Sequence, residues 1–154
     1  MTYLISACLL GCACRYDGKS RPIPKEISAL AEHHTLIPVC PEILGGLPTP
    51  RPPAEIRGGR VINREETDVT DEYRRGAEEV LRLFHLLSAD GVILKDMSPS
   101  CGTDGIYDGS FCRRKIAGEG ITAALLRKAG VPVFGESGPP ADARTVHDGG
   151  DRKK

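Results

Sequence analysis

Apolar residues in this chain gather in short runs separated by polar, glycine-rich stretches. Thr2 to Ser6 reads as a buried strand, and Leu36 to Val39, Gly91 to Leu94 and Val131 to Phe134 read as three more. Between them the period changes to that of a helix. Ile23 to His33 has apolar residues at 23, 27 and 30 and Pro24 near its start, which predicts a short amphipathic helix with proline in its first turn. Thr70 is placed as the N-cap of a longer helix, with Asp71 and Glu72 in the first turn to complement the macrodipole. Positions 73, 77, 80, 81, 84 and 87 give that helix one buried stripe. Thr122 to Ala129 predicts a third helix, ended by Gly130.

The connections carry their own signals. Residues 41–53 hold so much proline and glycine that an extended, stiff loop is expected, with no helix or central strand. A loop that long inside a compact domain is usually functional. Residues 54–62, centred on Gly58-Gly59, read as a hairpin, because both glycines can supply the positive φ of a tight turn. Residues 98–109 form another polar loop. Strands alternating with helices argue for α/β architecture, a mostly parallel sheet with helices on its faces. The 154 residues suit a single domain. Its expected extent is 1–136, followed by a polar tail over 137–154 that is expected to fray.

Charge narrows the function classes. Twenty-one basic and 21 acidic side chains cancel, so nothing draws the chain as a whole to nucleic acid or a lipid surface. Arg113-Arg114-Lys115 is the one dense basic patch and reads as a surface loop. The start has no basic region followed by a long apolar core, so it reads as a first strand rather than a signal peptide. No apolar run approaches the roughly 20 residues of a membrane helix. A cytoplasmic location is expected, where six cysteines are thiols, metal ligands or catalysts rather than disulfides.

Three of those cysteines share a position. Cys8, Cys40 and Cys101 each lie just past a predicted strand, so parallel pairing would open all three onto the carboxyl edge of the sheet. Open α/β sheets bind ligands there. Soft thiolates suit zinc or an iron–sulfur cluster. Three thiolates without an obvious fourth point to a cluster with one iron open to substrate. The C-x3-C-x-C spacing of Cys8, Cys12 and Cys14 matches no paired zinc unit. Cys14 is the candidate for a fourth ligand, and Cys112 reads as structural. Glu42, held near Cys40 by Pro41, and Ser100, next to Cys101, are candidates for an acid–base group and a hydrogen-bonding hydroxyl. Arg15 and Arg51 are candidates to hold a planar polar substrate, with a surface ion pair as the ordinary alternative. Lys95 supplies a cation near the same edge. The four histidines show no ligand spacing.

The segments Ser6-Ala7-Cys8-Leu9-Leu10-Gly11, Arg15-Tyr16-Asp17-Gly18, Pro38-Val39-Cys40-Pro41-Glu42, Gly45-Gly46-Leu47-Pro48-Thr49-Pro50-Arg51, Ser98-Pro99-Ser100-Cys101-Gly102 and Tyr107-Asp108-Gly109 together resemble the thiouracil desulfidase (TudS-like) family. The resemblance runs from about Leu4 to Phe134. It implies a Rossmann-like domain binding a 4Fe-4S cluster through Cys8, Cys40 and Cys101 with one iron open, and Glu42 and Ser100 as catalytic residues. The implied reaction removes sulfur from a thiolated pyrimidine, 4-thiouracil or its nucleoside, giving the oxo base and hydrogen sulfide. The implied partners are that small molecule and the iron–sulfur assembly machinery, with no membrane and no nucleic acid. Cys12, Cys14 and Cys112 receive no role from it. Three other readings stay open. One is a structural or redox-sensing iron–sulfur or zinc module with Cys14 as fourth ligand. Another is a thiol enzyme using a low-pKa cysteine such as Cys8. The third is a factor acting on thiolated nucleosides within tRNA, which the neutral charge disfavours.

Overall fold

Strand β1 (Thr2–Ser6) is apolar on both faces because it runs through the middle of a sheet that helices cover on both sides. A computed structural model of the chain describes residues 1–140. After β1 come a 3-10 turn (Ala7–Leu10), α1 (Lys25–His33), β2 (Thr35–Val39), α2 (Pro41–Leu44), β3 (Ala54–Arg57), β4 (Arg60–Asn63) and α3 (Thr70–Leu86). Then follow β5 (Gly91–Ile93), β6 (Gly105–Tyr107), β7 (Lys115–Ala117), α4 (Ile121–Lys128) and β8 (Val133–Phe134). The main sheet has the order β2-β1-β5-β8, and every pairing in it is parallel. The expected α/β, Rossmann-like architecture is therefore what the chain adopts.

The pleat sends alternate residues of β1 to opposite cores. Leu4 joins Val80, Val92, Leu94, Ala123 and Leu126 under α3 and α4. Tyr3 and Ile5 join Ile27, Leu30 and Ile93 under α1. The chain leaves β1 for β2 on one side and reaches β5 on the other, so the order reverses at β1. That is the switch point at which such sheets form a crevice at their carboxyl ends.

Several local expectations are corrected. The 41–53 segment is not extended throughout. Its first residues form α2, with Pro41 at a position where the missing N–H costs nothing. Residues 98–109 are not simply loop, since Gly105–Tyr107 pairs antiparallel with Lys115–Ala117. Each of those strands has three residues, too short to show an alternation. Lys115 thus begins a strand, although the whole Arg113-Arg114-Lys115 patch is exposed as expected. Helix α1 starts at Lys25 with Pro24 outside it, and Ile23 is exposed. Thr70 is the first residue of α3 rather than its cap. Its hydroxyl accepts the Val61 N–H at 2.8 Å, while Asp68 Oδ1 accepts the Thr70 N–H at 2.9 Å. Leu87, given to the buried stripe, lies past the end of α3 and is exposed. The predicted hairpin is present, with Gly58 and Gly59 both at positive φ. At the start of the expected tail Pro139 is buried, and residues 141–154 of that expectation lie outside the described residues.

Helices α2 and α3 cross backbone to backbone. A Cβ on Gly76 would lie 1.8 Å from the Pro41 carbonyl oxygen, and one on Gly45 would lie 1.9 Å from that of Glu72. Neither obstacle is a flexible side chain, so the short helix carrying Glu42 is seated against α3 with no slack. Gly76→Ala is expected to destabilise the protein by about 3 kcal/mol, more than overpacking a yielding site would. Urea unfolding checks this; an unchanged midpoint would show that the two helices can part freely.

Candidate active site

Cys8, Cys40 and Cys101 leave the sheet at neighbouring strand ends. Cys8 lies in the 3-10 turn after β1, Cys40 directly after β2 and Cys101 in the loop after β5. Parallel register sets Ser6 beside Val39 and Ile5 beside Ile93, so the three connections emerge together. The structure adds a fourth thiol. Cys14 is buried and hydrogen-bonds to both Cys8 and Cys40. Cys12 and Cys112 are exposed. The expectation that Cys112 packs structurally fails. It sits between Phe111 and Arg113, both at positive φ, and its thiol only reaches the Ser110 carbonyl at 3.5 Å.

The thiols influence one another's protons. The hydrogen bond from Cys14, helped by the charge of Lys95, holds Cys8 below the ordinary thiol pKa despite burial. Cys14 accepts help from Cys40, but the bond to Cys8 and burial outweigh it and push Cys14 up to about 11. Cys40 is raised by its bond to Cys14 and by burial. Burial pushes Cys101 up to about 11, against hydrogen bonds from Ser100 and Ser6. Lys95 also pairs with Glu136 beyond β8, which keeps its ammonium at this edge.

Glu42 stands on the first turn of α2. Its Oε1 accepts the Tyr73 hydroxyl at 2.6 Å and the Arg51 Nε–H at 3.2 Å. Arg51, proposed from sequence as a substrate holder or a surface ion pair, makes its ion pair with Glu42 inside the protein. It is 8 % exposed and donates also to the Pro48 carbonyl at 3.1 Å, Thr49 Oγ1 at 3.1 Å and the Cys14 carbonyl at 2.9 Å. It therefore ties the proline-rich loop to the cysteine loop. Burial, then the Glu42 charge, holds Tyr73 well above the usual phenol range, so it remains a donor. Arg15 is less committed: its Nε is buried without a hydrogen bond, and the Asp17 carboxylate lies 3.8 Å away.

Ser100 is completely buried. Its Oγ lies 3.5 Å from Cys101 Sγ and 3.3 Å from the Thr122 hydroxyl at the start of α4. Gly120 makes this approach possible, since a Cβ there would meet the Ser100 backbone at 2.5 Å. Ser6, which sequence reasoning passed over, accepts the Lys95 N–H at 2.9 Å and bonds to Cys101. The available signals were its position at the end of β1 and its place at the head of the Ser6-Ala7-Cys8 segment. Tyr73 and Thr122 gave none beyond their helical register.

The donor set fits a thiophilic metal group, because buried and half-buried thiols with a nearby ammonium suit soft-metal ligation. Among the described residues no three His, Cys, Asp or Glu side chains close onto a single ion. The fit therefore rests on donor chemistry and shared position.

Fold and site together define an α/β protein with a cysteine cluster at the switch point of a parallel sheet. The family model for 2-thiouracil desulfurase matches residues 3–138. The protein YbbK of Bacillus subtilis (strain 168), itself uncharacterized, is 42 % identical over 144 residues, covering 87 % of this chain and 95 % of its own. A solved structure of the [4Fe-4S]-dependent thiouracil desulfidase TudS (DUF523Vcz) superposes with a TM-score of 0.82 at 46 % identity, covering 88 % of this chain and 90 % of that one. The chain belongs to the 2-thiouracil desulfurase family.

A lowered pKa means more thiolate at a given pH and faster alkylation. In metal-free protein at pH 8, iodoacetamide is expected to modify Cys8 first among the four site thiols and to reach Cys40, whose pKa is raised furthest, and the buried Cys101 last. Time-resolved peptide mass spectrometry measures the order, and early labelling of Cys101 would contradict this account of the thiol network.

Proposed function

We propose that this protein is a 4Fe-4S-dependent desulfidase that removes sulfur from thiolated pyrimidines, 4-thiouracil or its nucleoside, by non-redox hydrolysis. The observation that carries the reading is the convergence of Cys8, Cys40 and Cys101 at one sheet edge beside a held carboxylate. The TudS likeness supports the cofactor, since that protein is [4Fe-4S]-dependent. Cys8, Cys40 and Cys101 would hold the cluster, which when bound supplies a Lewis-acidic iron to polarise a carbon–sulfur bond.

The chain's own residues do the rest. Glu42 takes a proton from water attacking the carbon that bears sulfur and delivers it to the departing sulfur. Ser100, between Cys101 Sγ and Thr122, offers a hydroxyl as hydrogen-bond partner at the same site. Lys95 offsets the negative charge of the thiolates. Such a site needs a reducing compartment and iron–sulfur assembly machinery to load it, so the cytoplasm is the proposed location. No helix among the described residues is long and apolar enough to cross a membrane.

One observation favours a second reading. Cys14 hydrogen-bonds to two of the three proposed ligands, so it is placed to become a fourth. A fully ligated cluster would leave no open iron, and the protein would then be a structural or redox-sensing module.

Anaerobic reconstitution with iron and sulfide separates these readings. Under the proposal the wild type binds four irons and converts 4-thiouracil with release of sulfide. The Cys8→Ala, Cys40→Ala and Cys101→Ala proteins lose the cluster, while Cys112→Ala and Cys14→Ala keep it. Loss of iron in Cys14→Ala, with no turnover in the wild type, would establish the second reading.

Glu42→Gln is expected to retain the cluster and lose about 10²–10⁴-fold in turnover, the usual range for a general acid–base group. Steady-state assay beside iron analysis checks it, and wild-type turnover in this variant would remove Glu42 from the mechanism.

A further inference from the structure

Both hydrogen bonds to the Glu42 carboxylate fall on the same oxygen. Tyr73 Oη and Arg51 Nε donate to Oε1, at 2.6 and 3.2 Å. Oε2 has no hydrogen-bond partner among the described residues. It is not a sealed, unsatisfied atom either, for Arg15 Nε alone is in that state among the described side chains. Oε2 therefore reaches solvent while Oε1 does its bonding inside the protein. The two donors are themselves immobile. Tyr73 is 2 % exposed on α3, and Arg51 spends three of its four remaining N–H groups on Pro48, Thr49 and Cys14. A cavity of about 280 Å³ is lined by Tyr73, Arg51, Leu47, Pro48 and Asn63, but Glu42 is not part of its wall. The free oxygen thus opens elsewhere than into that space. The backbone beneath is equally fixed, since α2 meets α3 at Gly45 and Gly76 without room for a Cβ.

We infer that the two carboxylate oxygens of Glu42 divide the work: Oε2 carries the proton, and Tyr73 and Arg51 are positioning residues that clamp Oε1 to aim it. The inference rests on the desulfidase reading and adds which atom acts and what holds it. Water attacks the carbon bearing sulfur, a carbon–oxygen bond forms and the carbon–sulfur bond breaks. Both water protons end on sulfur, with Oε2 relaying them, so thiocarbonyl and water give carbonyl and hydrogen sulfide without a redox change. A carboxylate clamped at one oxygen cannot rotate its free lone pair away from the reacting water, which is the orientational gain. A planar guanidinium serves as the clamp better than an ammonium, because its Nε–H can hold Oε1 while the other nitrogens hold the backbone.

Tyr73→Phe removes one donor and keeps the ring. It is expected to lower kcat about tenfold with KM within twofold and iron content unchanged, the pattern of an interaction that matters only in the transition state. Arg51→Lys, which cannot span the same partners, is expected to lose about a hundredfold in kcat, again with the cluster intact. In a crystal structure of Tyr73→Phe the Glu42 carboxylate should occupy more than one rotamer. Arg51→Gly should regain turnover when guanidinium is added, as a structural defect would not. If the wild type turns over and Tyr73→Phe matches it in kcat with Glu42 in a single rotamer, the inference is overturned and the desulfidase reading stands. If the wild type binds four irons and releases no sulfide, the desulfidase reading falls and takes the proton role of Oε2 with it.

Discussion

Parallel pairing on both sides of β1 is the constraint from which the rest of this molecule follows. Thr2–Ser6 binds β2 along its whole length and β5 over three residues, all running the same way. Parallel strands must be joined by crossovers, so every loop that leaves a carboxyl end leaves at the same edge. Segments far apart in sequence are therefore delivered to one place by backbone hydrogen bonds alone. The strand order reverses at β1, the position where such sheets form a crevice at their carboxyl ends, and the cysteines after β1, β2 and β5 leave the sheet at that edge.

A second layer of constraint is polar. The Arg51–Glu42 pair is largely out of water, with side chains 4 % and 15 % exposed. Replacing a buried pair with apolar groups is often neutral for stability, whereas removing one partner costs about 3–5 kcal/mol. Such a pair is better understood as a device for placing groups than as a source of stability. Here it ties α2 and the proline-rich loop that follows it to two segments distant in sequence, the cysteine loop and, through the shared oxygen, Tyr73 of α3.

The thiols obey a third constraint. In the metal-free protein they share protons, and lowering the pKa of one raises it in its neighbours. Cys8 is the easiest to ionise because Cys14 donates to it and Lys95 stands nearby. Metal ligation requires deprotonated sulfur, so loading such a site would expel protons from Cys40 and Cys101, which hold theirs most firmly. The hydroxyls of Ser6 and Ser100 at Cys101 favour its ionised form and partly offset its burial.

Much of the architecture was legible in the sequence, because strand and helix reveal themselves by local period. The four main strands, the three longer helices and the Gly58-Gly59 hairpin all carry such a signal, and the family motifs extend over nearly the same span. Short elements escaped, since α2 has four residues and β6 and β7 three each, too few to show a period. Sequence order alone determined which residue types follow which strands, and so nominated Cys8, Cys40, Cys101, Glu42 and Ser100. Only the tertiary structure decided that Arg51 turns inward as a buried clamp, that Tyr73 shares its carboxylate oxygen and that Cys14 joins the thiols while Cys112 stays outside. Those outcomes depend in part on contacts between distant segments, Arg51 with the Cys14 carbonyl and Tyr73 with Glu42 among them, and no local pattern of side chains encodes a distance across the fold.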